Sequence, residues 1–164
     1  MKKITKIKLT VLAVACFFIL GIASNTSKLT FGNSEKWIPA DFDPAQTILL
    51  VEDFGVSAKA QRKMEAYMSE KYPYKYEFVS LKTIQNNEGK YSDSKLYKYA
   101  LVYSSHTTFS RDNQTGRDGP TVTGFDYHFY DRELDKDYPA TGKSSSYAIM
   151  TFKPVINTIV KKFE

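Results

Sequence analysis

Apolar and polar positions along the first half of the chain predict a strand, a helix and a second strand. Residues 47–54 (TILLVEDF) hold five apolar residues out of eight and no Gly or Pro, which predicts a buried strand. Residues 57–71 predict an amphipathic helix capped by Ser57, because apolar side chains recur every four positions beginning with Val56. Residues 74–81 alternate as a half-exposed strand does. A crossover of this length favours parallel strands, although an antiparallel placement stays open.

The next pattern predicts a loop and then a hairpin. Residues 82–95 are polar and form a surface loop with room for one helical turn. Residues 96–109 and 121–133 read as two long strands, and Phe125, Tyr127 and Phe129 share one face of the second. Residues 111–120 between them carry two Gly, one Pro and several charges. We therefore expect an antiparallel hairpin with a mobile ten-residue loop at its tip.

The C-terminal pattern allows two interpretations. Six apolar side chains from Ala148 to Phe163 fit one helical face, which favours a single helix over residues 145–163 with the preceding serines as its cap. Pro154 would then kink the helix. The alternative is a short strand over residues 147–152 followed by a helix that begins at the proline.

These elements together predict one domain of the α/β (α+β) class. We expect a two-layer sandwich, in which a mixed sheet of about four strands carries two helices on one face. Residues 47–54 would form the central strand. The domain would cover residues 37–164 and follow a signal peptide or N-terminal anchor over residues 1–23 and a tether over residues 24–36. The apolar Trp37 and Phe42 should lie against this domain rather than in solvent.

The first 23 residues predict export. Four lysines precede an apolar stretch over residues 9–23, which is short for a membrane span and typical of a signal-peptide core. Small residues before Ser24 allow cleavage there, whereas an uncleaved anchor remains the alternative. A third possibility is lipidation of Cys16, although Ala13 is a poor match to a lipobox. Each outcome places the folded part outside the cytoplasm, in the periplasm, in the cell envelope or as a secreted protein.

Charge and cysteine content exclude several kinds of site. Removing the four leader lysines lowers the formal net charge from +5 by four to +1, so the folded part lacks the basic character of a general nucleic-acid binder. Cys16 is the only cysteine. The remainder of the chain therefore has no disulfide, no thiolate nucleophile and no metal site built from cysteine.

Three familiar catalytic patterns are incomplete in this sequence. The LLVED run resembles the first strand of a response-regulator receiver domain, but the strand that should end in a phosphoacceptor Asp ends in Ser and His. We therefore expect Glu52 and Asp53 to be a solvent-facing acidic pair. Residues 141–144 (TGKS) lack the earlier glycine of a phosphate-binding loop and predict a polar turn. His106 has no G-x-S-x-G partner motif, and we expect an exposed or hydrogen-bonded structural histidine.

One strand face holds the candidate binding residues. Asp126, His128, Tyr130 and Arg132 alternate and so share a face, where they could bind an anionic or sugar ligand. Asp126 and His128 alone are too few ligands for a metal site. The competing interpretation is a solvated outer sheet face stabilised by cross-strand pairs. No catalytic residue, metal ligand or cofactor is predicted.

The chain as a whole resembles small exported bacterial envelope proteins of unknown function. The resemblance rests on the leader, a W-x-P-x-D-F-D-P segment at residues 37–44, the strand–helix–strand unit and a DR-containing strand. We therefore expect a non-enzymatic binding or assembly module for a protein or glycan partner, acting through the open sheet face or the hairpin tip. The alternative is a hydrolase or metal-dependent enzyme that uses Asp126, His128 and Arg132. The sequence does not define the oligomeric state.

Overall fold

A computed structural model describes residues 35–111, 116 and 118–164, all within one compact unit, Phe31–Glu164. The strands and helices, in chain order, are β1 (Leu49–Glu52), α1 (Ala58–Lys71), β2 (Tyr76–Val79), α2 (Leu81–Asn86), β3 (Tyr99–Arg111), β4 (Asp118–Asp131), β5 (Lys136–Asp137) and α3 (Ala148–Phe163). Short 3₁₀ turns occupy Glu35–Trp37 and Gly89–Ser92. The predicted leader, Cys16 and most of the tether lie outside the described residues.

The strands form one five-stranded mixed sheet in the order β2-β1-β3-β4-β5. β1 pairs in parallel with both β2 and β3, so the predicted strand–helix–strand crossover is confirmed. β3 and β4 are antiparallel, as are β4 and β5. β1 is an interior strand, but the middle of the sheet is β3. The α+β class and the mixed sheet match the prediction, whereas the described chain holds one more strand and one more helix than expected.

The two long helices pack on the same face of the sheet, as predicted. Ser57 caps α1 by accepting a hydrogen bond from the backbone N–H of Ala60 at 3.3 Å. The buried core on this face combines side chains from α1, α3 and the odd-numbered positions of the strands: Leu49, Val51, Met64, Met68, Tyr99, Leu101, Tyr127, Phe129, Phe152, Val155, Ile156 and Ile159. Val56 is not part of it. Although it begins the periodic apolar pattern, Val56 lies in the turn before α1 and is 69% exposed.

A second, smaller core covers the opposite face of the sheet. Its buried members are Leu50, Val79, Ile84, Tyr97, Ala100 and Val102. Ile84 comes from α2, which Ser80 caps by accepting from the N–H of Thr83 at 3.2 Å. The predicted polar loop over residues 82–95 is thus a short helix and a 3₁₀ turn that add a partial third layer.

The segment that precedes β1, residues 37–46, packs against the sheet. Trp37 and Phe42 are buried, and their rings contact Phe129 at centroid distances of 5.9 and 5.0 Å. Asp41 accepts hydrogen bonds from the Lys98 ammonium at 2.8 Å and the Tyr99 hydroxyl at 2.5 Å. The expectation that the two aromatic residues lie on the domain is confirmed.

The C-terminal segment is one helix, α3, with Pro154 inside it. This agrees with the favoured interpretation over the strand-then-helix alternative. The Thr158 hydroxyl donates to the carbonyl of Pro154 at 2.8 Å. The predicted serine cap is wrong, because the N-cap residue is Tyr147 and makes no side-chain capping bond.

The β3–β4 hairpin is longer than predicted. Its register runs from Tyr99 opposite Asp131 to Arg111 opposite Asp118, with an irregularity between Phe109 and Arg111. Both ends of the predicted loop, residues 111–120, therefore belong to strands. Residues 112–115 and 117 lie outside the described residues, as does the predicted mobility of the tip.

Candidate functional site

Asp126 and Arg132, two of the four predicted site residues, are buried. They are 8% and 3% exposed, so this part of the β4 face is not the solvated surface of the competing interpretation. The Asp126 carboxylate accepts from the backbone N–H of Gly142 at 3.1 Å and from the hydroxyl of Thr141. It also accepts from the N–H of Tyr127 at 2.7 Å. Asp126 therefore ties the polar turn at residues 141–144 to the edge of the sheet.

Arg132 holds the covering layer of the smaller core. Its guanidinium donates to the carbonyls of Ile84, Tyr97 and Tyr91 at 2.8, 2.6 and 2.8 Å, and to the side-chain oxygen of Asn87. These acceptors lie at the end of α2 and in the segment leading to β3. Burial lowers the pKa of Arg132, since the charge has lost most of its water. The guanidinium therefore donates its hydrogen bonds to oxygens of the protein itself and not to a ligand.

His128 and Tyr130 contact the segment that follows β4. The ring Nε2 of His128 lies 3.1 Å from a carboxylate oxygen of Asp137 in β5. The Tyr130 hydroxyl donates to Asp135 at 2.7 Å, and this bond raises the pKa of Tyr130 to about 12. The four predicted residues thus bond three different segments. Asp126 bonds the turn at residues 141–144, Arg132 bonds the segment from α2 to β3, and His128 and Tyr130 bond residues 135–137.

The acids at the end of β1 differ from their prediction. Glu52 is buried rather than solvent-facing, and its carboxylate accepts from the backbone N–H of Tyr103 at 3.1 Å. Asp53 is half-buried and accepts from the side chain of Gln61 at 3.2 Å. Burial raises the pKa of both carboxyls. The Glu52 side chain therefore adds a hydrogen bond between β1 and β3 beyond their last paired residues, Val51 and Leu101.

The difference in stability between a Glu52→Gln variant and wild type should depend on pH. Because burial raises the pKa of Glu52 in the folded state, its contribution to folding is present below the ordinary glutamate pKa and is lost as the pH rises through the raised value. Glutamine removes this titration and keeps an oxygen for the Tyr103 N–H. Urea denaturation should show the variant gaining stability relative to wild type from about pH 4 to about pH 7. A difference that stays constant over this interval would contradict the assignment.

The outer part of the hairpin forms an exposed two-stranded ribbon, residues 104–109 of β3 and 121–124 of β4. Residues 104–109 and 121–123 are exposed on both faces, and only Gly124 at the base is buried. Phe109 and Val122 are 75% and 46% exposed. β1 pairs with β3 only as far as Leu101, so the ribbon extends beyond the strand that supports its base.

The backbone of the ribbon has free edges. The N–H of Tyr103 points toward the β1 side, where it donates to Glu52. Because backbone groups of alternate residues point to the same side of a strand, those of Ser105, Thr107 and Phe109 also point away from β4. Within the described residues no strand pairs with this edge of β3 beyond Leu101, on the side away from β4. On the β4 side, Phe125 exchanges hydrogen bonds with Ser145 at 2.9 and 3.2 Å, which covers the base of that edge.

His106 lies over the base of the ribbon. A Cβ added to Gly124 would fall 2.7 Å from the His106 ring and 3.2 Å from the hydroxyl oxygen of Ser144, so glycine leaves room for the imidazole. The exposed placement of His106 agrees with the sequence-based expectation. The proximity of Ser144 was missed, because no local pattern links residues so distant along the chain.

The described part of the chain contains neither a cluster of metal-binding side chains nor a helix that could span a membrane. Residues 35–111, 116 and 118–164 contain no cluster of three or more His, Cys, Asp or Glu side chains that could hold a metal ion. None of the helices in these ranges has the length and apolar character that a bilayer crossing requires. No protein-family model and no curated protein matches the sequence. Any functional assignment therefore rests on this molecule's own sequence and geometry.

Proposed function

We propose that the chain is an exported cell-envelope module that binds a protein partner through the ribbon and catalyses no reaction. The observation that carries this proposal is the exposure of the ribbon on both faces. An isolated two-stranded ribbon is marginally stable at best, since neither face buries a core. A partner that covers the ribbon would supply the contacts that the domain itself does not make.

A protein is favoured over a glycan as the partner. The free edge at Ser105, Thr107 and Phe109 offers backbone donors and acceptors in the spacing that an added extended strand matches. The lysine-rich leader supports export and an extracytoplasmic location, and residues 9–23 would provide membrane attachment if the leader were retained. The alternative, a hydrolase using Asp126, His128 and Arg132, has weaker support, because Asp126 and Arg132 are engaged in buried bonds to the protein.

Affinity capture from an envelope extract tests the proposal. The tagged full chain should capture a protein partner, and Phe109→Asp should abolish capture by placing a charge on the exposed ribbon surface. Leu134→Asp is the matched control, since Leu134 is 63% exposed but lies outside the ribbon. Capture that is equal for the wild type and both variants, or that only Leu134→Asp abolishes, would refute the ribbon as the binding surface.

The leader makes a separate prediction. If the signal peptide is cleaved, N-terminal sequencing of the exported protein should begin near Ser24. A chain that retains residues 1–23 would indicate an anchor. Mass spectrometry that finds a lipid on Cys16 would replace cleavage before Ser24 by lipoprotein processing.

A further inference from the structure

We infer that the β3 edge of the ribbon pairs with the same edge of a second copy of this chain. The inference rests on the proposed function and names the partner. The backbone groups that point outward on this edge belong to Ser105, Thr107 and Phe109. The pairing of β3 with β1 ends before these residues. Edge strands of soluble proteins are usually protected by charges, prolines or cover. From Tyr103 to Phe109 the β3 edge has no charged residue and no proline.

The other edges of the sheet are better protected than this one. β2, the outermost strand on one side, carries Glu77, which binds the Lys90 ammonium at 2.6 Å. On the outer edge of β4, Ser145 bonds Phe125, so within the ribbon only Thr121 and Thr123 point outward. Within the ribbon, the β3 edge therefore offers an incoming strand more outward, uncharged positions than the β4 edge: Ser105, Thr107 and Phe109.

A second copy fits this edge by symmetry and charge. An antiparallel pairing about a twofold axis at Thr107 sets Thr107 against Thr107 of the second copy, and Ser105 against Phe109. No like charges face each other in this register, because residues 103–109 contain no Lys, Arg, Asp or Glu. The outward N–H and C=O groups of both edges would all be paired. Each Phe109 ring, 75% exposed in the single chain, would gain a cross-strand neighbour.

Sedimentation equilibrium of the purified, exported protein tests the pairing. We expect a monomer–dimer equilibrium between about 1 and 100 µM, the range suited to a small interface. Thr107→Pro removes an outward N–H and should raise the dissociation constant about tenfold or more. Thr123→Pro is the matched control, because Thr123 lies directly opposite Thr107 and points to the other edge of the ribbon. It should leave dimerisation unchanged.

Two variants with opposite charges at the twofold axis distinguish a loss of dimerisation from a loss of folding. Thr107→Lys and Thr107→Glu should each be monomeric alone, since two like charges would meet at the axis, and mixing the two variants should restore dimers. A wild-type chain that stays monomeric to about 100 µM, or a mixture that fails to associate, would overturn the inference. If a monomeric wild type still captured another envelope protein in a Phe109-dependent manner, the proposed function would stand and the second copy would be excluded.

Discussion

Replacing Arg132 by methionine should destabilise the protein by about 3 kcal/mol or more, the largest effect expected from a single polar side chain here. The guanidinium serves four acceptors: the carbonyls of Ile84, Tyr91 and Tyr97 and the side chain of Asn87. Methionine would fill a similar volume but donate to none of them. Buried acceptors left without donors cost about 1–3 kcal/mol each when they cannot reach water.

The measurement is the free energy of unfolding from urea denaturation. Arg132→Lys should give an intermediate loss, because one ammonium cannot reproduce the spread of a planar guanidinium. Arg62→Met is the matched control, since Arg62 is exposed on α1 and bonds only the carbonyl of Ala58 at 3.3 Å in the described contacts. Its effect should stay within about 0.5 kcal/mol. A similar small loss for Arg132→Met would mean that the covering layer does not depend on this residue.

Leu50→Asp should prevent soluble folding. Leu50 is fully buried in β1, where it packs in the smaller core with Ala100 of the neighbouring strand. A carboxylate at this position would have no partner and no water, and the cost would be a large share of the roughly 5–15 kcal/mol by which a domain of this kind is stable. The yield of soluble protein and its circular dichroism spectrum give the result.

Val56→Asp is the control for Leu50→Asp, because Val56 lies close to β1 along the chain but is exposed. Val56 begins the apolar pattern of the predicted helix, yet it is 69% exposed in the turn before α1. Aspartate should therefore be tolerated there, and a negative charge near a helix N-terminus is favourable. A soluble, stable Leu50→Asp variant would contradict the placement of β1 inside the sheet.

The spacing of apolar residues along the chain predicted those elements in which the buried side chains recur at a strand or helix period. β1, α1 and the hairpin each repeat apolar residues at a strand or helix period over enough positions to be recognised. β5 was missed because Lys136–Asp137 contains only two polar residues and forms a strand by pairing with the edge of β4. α2 was predicted only as a possible turn, because Leu81–Asn86 is too short to show a period.

The candidate site depended on contacts that no local pattern reveals. The period of two predicted that Asp126 and Arg132 share a strand face, but β4 ends at Asp131 and the pattern could not show what covers these side chains. Arg132 is buried because the segment ending α2, about 45 residues earlier, folds over it. The ribbon was predicted as a hairpin, but its exposure follows from where β1 ends, which is a property of the whole sheet.

Site-specific photo-crosslinking in the living cell tests the ribbon as an interaction surface most directly. A photoreactive amino acid would replace Phe109 in one variant and the comparably exposed Leu134 in another. We expect a discrete crosslinked species from position 109 and none from position 134, with mass spectrometry identifying a second copy of the chain as the crosslinked protein. No crosslink from position 109, or equal crosslinking from both positions, would contradict a binding surface on the ribbon.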